Sequence, residues 1–128
     1  MVIAIIGILA SIVLVSLGSA RTKAKDAAIK VNLSGLRAGA GIFASENNES
    51  YNGFCTVVGG DVDIVENALP ADVSLVCRSQ DDNWAACVQL LEKESDYFCV
   101  DSNDSARQIT GTCDEAAITG AAGNYVCP

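Results

Sequence analysis

The chain has no histidine and only two prolines, the first of them at position 70. Without histidine there is no Ser-His-Asp or Cys-His catalysis, no His-ligated haem and no Cys/His zinc site. The six cysteines, Cys55, Cys77, Cys87, Cys99, Cys113 and Cys127, stand 22, 10, 12, 14 and 14 residues apart. They lack the close pairs on which four-cysteine zinc sites are built. No GxGxxG or phosphate-binding loop occurs, because "GLRAGAG" follows no strand and contains no Gly-Lys pair. Its glycines are instead expected to let another helix approach closely. Basic side chains are scarce beyond residue 45, three against fifteen acids for a net of −12, whereas residues 1–45 carry five against one, a net of +4. An acidic body repels phosphate backbones, so nucleic acid is not a favoured partner. No cofactor and no enzymatic activity are expected. The nearest approach to a metal site is a turn at Asp101, Asn103 and Asp104, with Asp114 further on, that offers oxygens to calcium but lacks EF-hand spacing and its closing glutamate, so a solvated turn is the favoured reading.

What is present is concentrated at the start. "MVIAIIGILASIVLVSLGSA" contains no charged side chain and no proline over twenty residues. As a helix rising ~1.5 Å per residue it spans roughly 30 Å, about one hydrocarbon core. Its large aliphatic residues are Val2, Ile3, Ile5, Ile6, Ile8, Leu9, Ile12, Val13, Leu14, Val15 and Leu17, and Gly7 and Gly18 are its weak points, between which any local unwinding should fall. Gly18-Ser19-Ala20 offers small residues of the kind a signal peptidase cuts after, but no basic segment precedes the apolar run, so a retained helix is expected. Arg21, Lys23 and Lys25 follow it directly. Beyond them Ile29, Leu33, Leu36, Ala40 and Phe43 recur at alternating steps of four and three, an apolar stripe that continues the helix to about Asn47. The chain thus divides into 1–25, an apolar membrane or core segment; 26–50, the amphipathic half of the same helix; and 51–128, an acidic head.

After Tyr51 the pattern changes to short strands and turns. "FCTVV", "VSLVC", "WAACVQLL" and "YFCV" are the expected strands, with "VDIVENALP" short and helical or irregular. An even number of cysteines in a small body reads as three disulfides formed outside the cytoplasm, and six cysteines allow fifteen pairings. The expected set is Cys55–Cys77, Cys87–Cys99 and Cys113–Cys127. The second is suggested by a hairpin symmetric about Lys93, which places Cys87 opposite Cys99. Trp84 and Tyr97 are expected in the core.

The stretch "VIAIIGILASIVLVSLGSARTKAKDA" resembles the N-terminal helix of type IV pilins and related pseudopilins. The resemblance covers roughly residues 1–45; "WAACVQLLEKESDYFCVDS" is more weakly similar to part of some pilin-like heads. It implies an α+β fold, a long N-terminal α-helix packed on a small antiparallel β-sheet head with a disulfide-closed region near the C-terminus. It implies a structural subunit held in the inner membrane, then moved by assembly machinery into a helical homo-oligomer on the bacterial cell surface, for adhesion, motility or surface interaction. It places the family's processed, methylated N-terminus and nearby glutamate several residues ahead of Met1. Pseudopilins of type II secretion and minor or competence pilins share these features, and a membrane-anchored or secreted disulfide-rich binding domain is the alternative from another class.

Overall fold

A computed structural model describes residues 1–120 and 123–128. The fold is α+β, with one long helix, a four-stranded antiparallel sheet and three disulfides. Helix α1 runs without interruption over Val2–Glu46, 45 residues and about 68 Å at ~1.5 Å per residue. No unwinding occurs between Gly7 and Gly18. Proline is absent from the segment, and Ser11 and Thr22 donate their hydroxyls back to the carbonyls of Gly7 and Gly18, at 2.8 and 3.3 Å. The helix stops where Asn48 and Glu49 take left-handed φ values of 57° and 62°, turning the Glu49 N–H onto the Ala44 carbonyl at 2.7 Å.

The stripe Ile29, Leu33, Leu36 and Ala40 is buried against one face of the sheet, with Phe43 partly buried beside it. Strands β1 (Leu75–Ser79), β2 (Trp84–Gln89), β3 (Asp96–Asp101) and β4 (Ala106–Thr110) form a meander in sequence order. Alternation assigns Trp84, Ala86, Val88, Phe98 and Val100 to the helix side, where they meet Phe54 and Val62. Trp84 packs edge-on against Phe54, ring centroids 5.2 Å apart, and Phe54 in turn meets Phe43.

The opposite face is covered as well. Ala85, Cys87, Tyr97 and Cys99 lie beneath Ile118 and Cys127 of the C-terminal segment. Trp84 and Tyr97 are both core residues, on opposite sides of one sheet. A sheet clothed on both faces explains why β2 and β3 read as nearly continuous buried runs.

One expected strand and two expected disulfides require correction. "FCTVV" is not a strand: Phe54–Thr56 forms a single 3-10 turn entered through Gly53 at φ 89°, and Cys55 is tethered to Cys77. "VDIVENALP", by contrast, takes the helical of its two expected forms, as helix α2 over Asp61–Ala68. Cys87–Cys99 and Cys113–Cys127 do not form, although Cys87 does stand opposite Cys99 in the ladder. Each crosses instead to the covering segment, as Cys87–Cys113 and Cys99–Cys127, with Cα atoms 5.8 Å apart in both. The third bridge is Cys55–Cys77.

Two carboxyls, the buried Asp96 and the exposed Glu115, are tuned by their partners. Gln108 donates to Asp96 at 2.7 Å and, with Lys93 at 3.6 Å, holds that carboxyl below its ordinary range. Arg78 makes a two-pronged contact with Glu115, both bonds 2.9 Å, which lowers the carboxyl and raises the guanidinium. Carboxyls depressed by folding contribute stability that is complete above their unfolded values near ~4 and is lost as the pH falls through the folded ones. Acid titration followed by circular dichroism should therefore show stability declining from about pH 4 downward. Asp96→Asn should flatten that limb; an unchanged slope would remove Asp96 from the account.

Candidate interaction surface on the long helix

The N-terminal half of α1 touches nothing in its own head. Every residue from Met1 to Arg21 is exposed, including all eleven large aliphatic residues from Val2 to Leu17. Ile3 is 87% and Val15 81% exposed, and with the other nine large aliphatic residues they are spread around the helix, so apolar surface covers the full circumference. A helix apolar all round is stable only within lipid or among other apolar helices. The segment is long and apolar enough to cross a membrane.

Where this half ends, the head begins. Lys23 reaches Glu92 at 3.5 Å, in the β2–β3 turn, and Lys25 reaches Asp72 at 3.6 Å, ahead of β1. Both pairs are exposed, and such pairs each contribute little. Asp26, next to Lys25, is buried, and sequence patterning gave no warning of its role. Its Oδ1 accepts the Leu91 N–H at 2.8 Å and its Oδ2 the Glu92 N–H at 2.9 Å. The carboxylate clamps the β2–β3 turn onto the helix and fixes the point at which α1 leaves the head. Asp26→Asn keeps one acceptor and is expected to cost about 1.5 kcal/mol, since hydrogen bonds to a charged group contribute ~1.5–3. Denaturant unfolding of the full chain in detergent checks this, and an unchanged midpoint would deny the clamp any stabilising role.

Further along, Lys30 donates to Gln108 at 2.9 Å and Arg37 pairs with Asp104 at 3.1 Å. These cations bind the helix to the β4 side of the head. The turn considered for calcium is thereby accounted for. Asp101 is buried, its Oδ1 accepting the N–H groups of Asn103 and Ser105 and its Oδ2 that of Cys127, while Asp104 faces Arg37. Those oxygens organise a hairpin and a chain end. Asp114 accepts the Ala117 N–H at 2.8 Å. Among the described residues no group of three or more metal-ligating side chains converges.

On the side of α1 away from the sheet lies a second stripe. Ala24, Ala28, Val31, Gly35, Ala38, Ile42 and Ser45 follow steps of four and three, and all are exposed. Val31 and Ile42 are 71% and 61% accessible. The surface is narrow, uncharged and made mostly of small side chains, and it continues the apolar N-terminal half along the same helix. Its heptad spacing was readable in the sequence, masked by the larger residues of the core stripe one or two positions along. The glycines of "GLRAGAG" divide between the two sides. Gly39 is buried, where a side chain would strike Asp61 of α2, so the close approach there is within the chain. Gly35 and Gly41 have nothing within 4 Å of where a Cβ would stand.

No family model matches this chain, and neither does any curated protein or solved structure.

Proposed function

We propose that this chain is a structural subunit of a type IV pilus-like filament, with the apolar half of α1 held in the inner membrane before assembly and in the filament core afterwards. The observation that carries the reading is the division of one continuous helix. Residues 1–21 lie wholly outside the head, while Ile29, Leu33, Leu36 and Ala40 of the same helix form its core. A subunit that must pass from lipid into a bundle of identical helices needs that division. Burying eleven large aliphatic side chains at ~1.5–3 kcal/mol each gives a gross gain of tens of kcal/mol over water. Lipid and neighbouring helices offer similar apolar surroundings, so transfer between them is nearly an exchange. The uncharged outer stripe from Ala24 to Ser45 extends the contact past the membrane boundary. The partners are copies of this chain and the machinery that assembles them, at the bacterial cell surface, and the role is structural rather than catalytic.

Electron microscopy of the chain expressed with a pilus assembly system tests this. Helical filaments containing the chain are the expected result. Membrane-bound monomers that never polymerise would favour an anchored disulfide-rich binding domain instead. Short structures confined to the cell envelope would favour a pseudopilin.

A further inference from the structure

We propose that this chain is a substrate for a thiol–disulfide isomerase, because its own sheet brings a non-native pair of cysteines together. Cys87 stands directly opposite Cys99 in the β2–β3 ladder. The Leu90 N–H bonds to the Asp96 carbonyl and the Ser102 N–H to the Trp84 carbonyl, both at 3.0 Å. Those two contacts make the even-numbered positions of β2 the hydrogen-bonded ones. Cys87 and Cys99 therefore form a non-hydrogen-bonded pair, the kind whose Cα atoms approach to about 4.5 Å with side chains closest. That separation lies within the span a disulfide bridges, roughly 4.4–6.8 Å.

The native bonds are harder to reach. Cys87–Cys113 and Cys99–Cys127 interlace and are separated by 26 and 28 residues, against 12 between Cys87 and Cys99. Chain closure alone favours the shorter loop by about threefold. The hairpin adds to this, since hairpins form in ~1–10 μs and disulfides over seconds or longer. The native pairs also need the C-terminal segment already docked. Cys113 donates its N–H to Gln89 Oε1 at 2.7 Å, Cys127 donates to Asp101 Oδ2 at 2.9 Å, and Arg107 donates to the Cys127 carbonyl at 3.0 Å. Ile118 is fully buried between them. These contacts favour the native set once reached but cannot guide the first oxidation.

The exchange is neutral in electrons. An isomerase thiolate attacks Cys99 Sγ of the Cys87–Cys99 bond, forming a mixed disulfide and releasing the Cys87 thiolate. That thiolate attacks Cys113 Sγ of a Cys113–Cys127 bond, forming Cys87–Cys113 and releasing the Cys127 thiolate. The Cys127 thiolate then attacks Cys99 Sγ of the mixed disulfide, completing Cys99–Cys127 and regenerating the isomerase thiolate. The inference requires oxidation of the head but is independent of whether the chain forms filaments.

Tryptic mapping reads the pairing directly, since Arg78, Lys93 and Arg107 separate Cys87, Cys99 and the last two cysteines into peptides 79–93, 94–107 and 108–128. The reduced full chain is reoxidised in detergent with a glutathione buffer, alkylated at intervals and digested without reduction. Peptides 79–93 and 94–107 joined to each other should accumulate first. They should then give way to all three joined, about tenfold faster or more with disulfide isomerase present. Appearance of the three-peptide product with no two-peptide precursor would overturn the proposal, as would a conversion rate indifferent to the isomerase. A Cys113→Ser/Cys127→Ser variant supplies an independent reading. Its Cys87 and Cys99 should oxidise to each other, and thiols that stay reduced while Cys55–Cys77 forms would refute the geometry.

Discussion

Leu33→Ala is expected to lower the unfolding free energy of the head by about 3 kcal/mol, within the ~2–5 measured for such core truncations. Leu33 is fully buried where α1 crosses the sheet, in the cluster that contains Trp84, Val88 and Val100. Removing its three outer carbons loses their transfer free energy. It also leaves a cavity, because helix and sheet are pinned on either side and cannot close the gap. The pins are the Asp26 clamp, and the Lys30 and Arg37 contacts with the β4 side. Trp84, the chain's only tryptophan, lies in that cluster and reports its unfolding by fluorescence. Ile12→Ala, on the same helix, should leave the transition within ~0.5 kcal/mol, because Ile12 is 63% exposed and outside the head's core. Equal losses from both substitutions would contradict the division of α1 into two halves.

The second expectation concerns the exposed half. Ile12→Asp should leave the head's unfolding unchanged and remove the chain from membranes. A charged residue at the centre of a spanning helix costs about 2.5–3.5 kcal/mol, a change of roughly two orders of magnitude in the insertion equilibrium. Ile12 lies near the middle of the charge-free run, with no cation close enough in sequence to offset the carboxylate; the nearest is Arg21, more than two turns away. Fractionation of cells, or flotation with vesicles, measures the partition directly. Full retention of the Asp variant would mean that lipid does not surround this segment. Loss of filaments with membrane retention intact would locate its main demand in the filament core instead.

The long helix and its core stripe were legible because both rest on local pattern. A charge-free run, an unbroken period of 3.6 and the absence of proline constrain the backbone whatever the rest of the chain does. Strands β2 and β3 were legible for the same reason, with Trp84 and Tyr97 marking their buried ends. Strand β4 was missed because ARQIT is an edge strand, its side chains mostly exposed, so no alternation records it. The exposed stripe of α1 was overlooked because small residues carry a weak hydrophobic signal beside Ile29, Leu33 and Leu36. The role of Asp26 left no local signal, since its partners are backbone amides 65 and 66 residues away.

By itself, then, the sequence determined the length and apolarity of α1, the face by which it enters the head, the antiparallel hairpin at its centre and the oxidising chemistry of six cysteines. Only the tertiary structure decided which sulfurs join. The hairpin register that places Cys87 beside Cys99 is a local matter of pairing. The bonds that replace theirs depend on Cys113, Ile118 and Cys127 folding back over a sheet face that exists only once the strands have assembled. The same distinction governs Asp26. A carboxylate on a helix becomes a clamp only when a turn from elsewhere in the chain arrives with two N–H groups that need an acceptor.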